Sequence, residues 1–155
     1  MKKINNKGFS LVELIIVIAV MAILVGIVGT QVLPYIDKAK EAKDIQIVSG
    51  YCTDATTAFV GCTDQLDSTK AYTITATKGA SGWTVDAKDN TGASSTVLRN
   101  AFVEMNEITT NPPNLQSKEG KKINKITIVC RHGTLAAKLT VEGPAKPSIF
   151  EAQVK

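Results

Sequence analysis

The 155-residue chain is short of the residues that most enzyme chemistry needs. It has one histidine, His132, in Arg131-His132-Gly133-Thr134. No nucleophile and carboxylate pattern surrounds it, so neither a triad nor a dyad is readable, and the sequence reads as a solvated turn. Its three cysteines, Cys52, Cys62 and Cys130, are widely spaced. A zinc set of Cys52, Cys62, Cys130 and His132 lacks the close ligand pairs of such sites, apart from Cys130-His132, and is the weak reading. No glycine-rich loop suited to a phosphate is present, so any ATP-driven step belongs to another protein. Aromatic residues make up 5% of the chain, and none interleaves the lysines Lys118, Lys121, Lys122 and Lys125. That cluster reads as a solvated loop with at most weak affinity for polyanions such as DNA. The formal charge of +4 drops to +1 without Lys2, Lys3 and Lys7, so bulk charge does not support a nucleic-acid partner. No cofactor and no metal is expected.

What the chain has is a long apolar run near its start. It extends from Phe9 through Gly29 and is long enough to span a bilayer. One carboxylate, Glu13, lies inside it. An ionisable group in such a segment costs about 2.5–3.5 kcal/mol at the bilayer centre, less near an end, and marks a functional site by default. Ala19, Ala22, Gly26, Gly29 and Thr30 share one helical face, where small residues let a second helix approach. Pro34 follows and removes a backbone donor. Together with Gly26 and Gly29 it makes this the weakest part of the helix.

The segment Lys7-Gly8-Phe9-Ser10-Leu11-Val12-Glu13-Leu14 resembles the start of type IV prepilins: a short basic leader ending in glycine, then phenylalanine, a small hydroxyl residue, two apolar residues and glutamate. The resemblance covers roughly the first thirty-five positions. It implies a class III signal peptide, cut between Gly8 and Phe9 by a prepilin peptidase that also methylates the new Phe9 amine. It implies that Glu13 pairs with the Phe9 amine of an adjacent subunit. It also implies an inner-membrane assembly platform and a motor ATPase as partners. In related filaments the helix near a proline such as Pro34 unwinds. Lys2, Lys3 and Lys7 before the apolar run are balanced by Lys38, Lys40 and Lys43 after it, so lysine counting leaves the orientation tied. The short leader and the resemblance put the N-terminus in the cytoplasm before assembly.

Beyond Pro34 the sequence is amphipathic. Ile36, Ala39, Lys43, Ile47, Tyr51, Ala55, Ala58, Phe59 and Cys62 recur at helical spacing, with Lys43 interrupting the stripe. Gly61 is the expected stop. Ala71–Thr75 and Gly82–Asp86 read as strands joined by a turn at residues 78–82. Ser94 or Ser95 caps a short helix with Val97, Leu98, Ala101, Phe102 and Met105 on its apolar side, and Asn111-Pro112-Pro113 closes that region. Ile126, Ile128 and Cys130, then Leu135, Ala137, Leu139 and Val141, alternate as an antiparallel hairpin, and residues 149–154 supply a last edge strand. If this part is exported, a disulfide is permitted. Cys52 and Cys62 lie ten residues apart, about 15 Å along a helix, too far to pair. Cys130 on its strand can meet either of them, and three buried thiols are an equal reading.

The expected fold is α+β, a pilin-like lollipop with a long N-terminal helix packed on a small antiparallel sheet. The expected divisions are a leader at 1–8, an apolar helix at 9–35, its amphipathic continuation at 36–62 and a head at 63–155. The function read from this is a structural, self-polymerising pilus subunit, not an enzyme. It would be a single-pass membrane protein before assembly and part of a surface filament after it, serving adhesion, motility or related roles. A pseudopilin of a type II secretion system and a competence pilin share the whole N-terminal signature. A secreted binding domain behind an ordinary signal peptide cut near Ala22 or Gly29 is the rival of another class. Glu13 within the apolar core and the continuing helix argue against it.

Overall fold

The computed structural model describes residues 9–133 and 137–154. Two compact units divide at Lys38 and Ala39. In the first, α1 (Leu11–Ile27) leads into a π-helical turn, Val28–Val32, and then into the start of α2 (Leu33–Gly61). Every residue from Leu11 to Gly61 is helical. Pro34 has no N–H for the Thr30 carbonyl, and its ring would crowd that oxygen. The chain responds by widening the turn just before it, so that the Leu33 N–H donates to the Val28 carbonyl. Thr30 Oγ1 also donates back to the Gly26 carbonyl at 2.9 Å, a contact that bends helices. The weak point expected at Gly26, Gly29 and Pro34 is thus a π turn.

The second unit holds the rest of α2, the strands β1 (Ala71–Gly79) and β2 (Gly82–Asp89), the helix α3 (Thr96–Asn106), and β3 (Lys125–Arg131), β4 (Ala137–Glu142) and β5 (Ala152–Val154). The fold class is α+β, as expected. The strands form one antiparallel sheet in the order β2-β1-β3-β4-β5. Strict alternation sends Tyr72, Ile74, Ala76, Val85, Ala87, Ile126, Ile128, Cys130, Leu139 and Val141 to the buried face. The residues between them, Thr73, Thr75, Thr127 and Thr140 among them, stay on the other face. Val48, Tyr51, Cys52, Ala55, Ala58 and Phe59 of α2 fill one core with these strands and with Leu98 and Phe102 of α3. Ser95 caps α3 by accepting from the Leu98 N–H at 3.4 Å.

Several boundaries differ from expectation. The first hairpin is longer on both sides, because Thr and Ala at alternate positions extend its pattern. Gly79 pairs with Gly82, whose φ of +126° suits a residue without a Cβ. Helix α3 stops at Asn106, ahead of Pro112, where Glu107 turns left-handed. Met105 on its expected apolar side is 48% exposed. The expected last strand is shorter: Pro147–Phe150 is a 3-10 turn that buries Phe150, and only Ala152–Val154 pairs with β4. Thr134 and Leu135 lie outside the described residues.

The largest correction lies on α2. Lys43 is exposed, and the neighbouring Asp44 is fully buried. The buried stripe begins Asp44, Val48, Tyr51, Cys52, Ala55, one residue out of phase with the expected one in its first turns. Asp44 accepts from the Gln116 N–H at 2.9 Å, the Ser117 N–H at 2.7 Å and Ser117 Oγ at 2.5 Å. It fastens the segment between α3 and β3 onto the helix. Gly120 packs against it so closely that a Cβ there would overlap Asp44 Oδ2.

A second polar anchor gives the head a pH dependence. Asp89 at the end of β2 accepts from Lys70 Nζ at 2.6 Å, from Thr91 N–H and Oγ1 at 2.9 and 2.6 Å, and from the Ala93 N–H at 2.9 Å. The Lys70 ammonium, followed by Thr91, holds its carboxyl well below the ordinary carboxylate range. A depressed folded-state pKa gives stability that is complete above the unfolded value, about 3.9 for aspartate, and is lost as pH falls through the folded value. Urea midpoints of the head should therefore fall as pH drops from 5 toward 2, by about the same order as other paired carboxylates. Asp89→Asn should lower the midpoint at neutral pH and flatten that acid limb. An unchanged acid limb would show that Asp89 does not set it.

Candidate functional site

The first turn of α1 is built by four residues. Ser10 is the N-cap, and its hydroxyl accepts from the Val12 N–H at 3.4 Å. Glu13, three residues on, turns its carboxylate back so that Oε2 accepts from the Ser10 N–H at 2.8 Å. This is a capping box, and it satisfies helix-end donors reciprocally. The signal for it, Ser-x-x-Glu before an apolar run, stands in the sequence, and it gives Glu13 a role within its own helix besides the intermolecular one that the prepilin resemblance implies. The negative carboxylate also sits at the positive end of the helix dipole. Phe9 lies just before the cap and is 88% exposed. The fold therefore brings the Glu13 carboxylate back toward the residue whose amine a cut after Gly8 would create. Gly8 itself, with the rest of residues 1–8, is outside the described residues.

Around this turn the helix is apolar on every side. Glu13 is the one charged residue between Phe9 and Ile36. No residue of α1 is buried, and Ile15, Val17, Val20, Leu24 and Ile27 are each about half exposed. A helix apolar all round is stable only inside lipid or inside a bundle of other apolar helices. Its length and composition suffice to cross a membrane. A Cβ added at Gly26 or Gly29 would meet nothing within 4 Å among the described residues.

The three cysteines are all thiols. All three are buried. Cys52 Sγ donates to the Ala137 carbonyl at 3.4 Å, and Cys130 Sγ points at the Ala55 carbonyl at 3.9 Å. Cys62 stands near Glu104 of α3, and burial followed by that charge pushes its thiol up. Of the two partners open to Cys130, Cys52 is the one whose sulfur touches Ala137, the residue paired with Cys130 across the β3–β4 ladder. His132 lies in the turn after β3, as expected, but is half-buried rather than solvated. Its ring lies 4.7 Å from that of Phe59, and its Nε2 is buried without a hydrogen-bond partner among the described residues. No group of three metal-ligating side chains occurs among the described residues. Lys118, Lys121 and Lys122 are exposed and Lys125 is half-buried, and the cluster is partly neutralised, with Lys122 on Glu119 at 2.6 Å and Lys125 on Glu142 at 2.7 Å.

No curated protein and no solved structure matches the chain. The family described as the prokaryotic N-terminal methylation motif matches residues 3–29, which takes in Gly8, Phe9, the capping box and all of α1. The chain therefore carries the signal-peptide motif of type IV pilin-like proteins.

Proposed function

We propose that this chain is a type IV pilin, a structural subunit that is stored in the membrane and polymerised into a filament. A prepilin peptidase cuts after Gly8 and methylates the Phe9 amine. The mature subunit then waits with its apolar helix in the bilayer, the N-terminus on the cytoplasmic side and the head outside. Assembly moves the helix from lipid into a bundle of its own kind, driven by a separate platform and motor ATPase. Glu13 neutralises the Phe9 amine of a neighbour as that end becomes buried.

The observation that carries this reading is the first turn of α1: a single carboxylate, directed at the start of a helix that is otherwise apolar on every side. Oε2 is engaged by the Ser10 N–H, which leaves Oε1 for a second donor. The uncut leader would place Lys2, Lys3 and Lys7 at that end and so block burial.

The test is the N-terminal mass of the mature protein. The expected result is a chain that begins at N-methylated Phe9. A start at Met1, or after Ala22 or Gly29, would refute it. Electron microscopy of the producing cells then separates pilin from pseudopilin, with long surface filaments expected for the pilin.

A further inference from the structure

Two buried thiols of the head, Cys52 and Cys130, each reach the backbone near the other in a reciprocal arrangement. Cys52 on α2 is fully buried and touches the carbonyl of Ala137. Ala137 is the residue directly opposite Cys130 in the β3–β4 ladder. Cys130, 2% exposed, directs its sulfur at the carbonyl of Ala55, which is three residues along α2 from Cys52. Each sulfur thus lies against the backbone beside the other cysteine. The next contact up the helix is Phe59 on His132, so α2 and the end of β3 advance together. Cys62 comes later on the helix, near Glu104. It is also about 15 Å along the helix from Cys52, beyond disulfide reach.

We infer that Cys52 and Cys130 are a modification site, joined after export by a disulfide that ties α2 to the central part of the sheet, and that Cys62 stays a thiol. Each sulfur gives up its proton, the Sγ–Sγ bond forms, and the two electrons reduce the disulfide of an exported thiol–disulfide oxidoreductase to a dithiol. The exchange passes through a mixed disulfide and needs a thiolate. In the folded head that thiolate is scarce, because burial and then the nearby Cys52 push the Cys130 thiol up to about 12. The bond therefore forms on the emerging chain before the core closes. A bond at this place would pass load from the helix to the sheet covalently when a filament is pulled.

The test uses the full-length protein from its own cells. Thiols are quenched with acid and alkylated in denaturant, and the chain is digested without reduction. The expected product is a peptide pair joined through Cys52 and Cys130, with Cys62 the only alkylated cysteine. Cys62→Ala should leave that pair unchanged, and Cys130→Ala should leave both Cys52 and Cys62 alkylated. Alkylation of all three cysteines in the unsubstituted chain, or a bond that contains Cys62, overturns the inference. Neither result bears on the cut at Gly8, which the N-terminal mass reads separately.

Discussion

Glu13→Gln is expected to remove filaments while leaving mature subunit in the membrane. Glutamine keeps the size of the side chain, and its amide oxygen can still accept from the Ser10 N–H, so the capping box and the first turn survive. What it removes is the charge. In the membrane that loss is harmless, since an apolar helix with no carboxylate inserts more easily. In the filament it leaves each Phe9 amine unpaired among apolar helices. Breaking a buried ion pair costs about 3–5 kcal/mol, repeated at every subunit added. Immunoblotting should show the processed subunit at ordinary levels, and electron microscopy of sheared cells should show few or no filaments. Glu13→Ala should do the same and also lose the cap, worth about 1 kcal/mol of helix stability. Filament numbers like those of the unsubstituted protein in Glu13→Gln would dismiss charge pairing, even in a protein that proves to be a pilin.

Asp44→Ala is expected to be the most damaging single change in the head. The carboxylate is fully buried and accepts from two backbone N–H groups and a hydroxyl. Hydrogen bonds to charged groups contribute about 1.5–3 kcal/mol each, and donors left buried without a partner carry their own desolvation cost. Allowing for partial relaxation, the loss should be about 3–5 kcal/mol, a large part of the 5–15 kcal/mol that small domains have. Urea unfolding of residues 36–155 would read it as a lower midpoint with little change in slope. Gly120→Ala should act on the same cluster, because its Cβ would meet Asp44 Oδ2 and lie 2.8 Å from Ser117 Oγ. The double variant should therefore lose less than the sum of the two single losses. Full additivity, or a loss below about 1 kcal/mol for Asp44→Ala, would mean that the segment from Gln116 to Gly120 is held by something else.

The N-terminal segment was legible because its physics is local. A charge inside twenty apolar residues, a glycine before a phenylalanine, and a proline after two glycines are all patterns within one helix length. Even the element missed there, the Ser10–Glu13 capping box, is spelled by residues three apart. The β3–β4 hairpin was legible for a similar reason: Ile126, Ile128, Cys130, Ala137, Leu139 and Val141 alternate, and all are buried. Alternation has a period of two, which leaves little room for a phase error.

The helical stripe on α2 left more room. Lys43 and Asp44 are adjacent polar residues on a helix of mixed charge, and a shift of about 100° separates the two possible faces. Nothing near Asp44 in the chain marks it as buried, because its donors come from residues 116 and 117, more than seventy positions later. The same holds for Cys52 and Cys130, and for the ring of His132 against Phe59.

The sequence by itself therefore determined the membrane-length helix, the position of its one carboxylate, the likeness to prepilins and the α+β class, each through spacing that the backbone geometry of one element imposes. Only the tertiary structure decided which side of α2 is buried, that a carboxylate on it fastens a distant loop, and that Cys52 meets the strand beside Cys130. Those outcomes depend on where elements far apart in the chain come to rest, and no local period encodes the partner that a buried polar group will find.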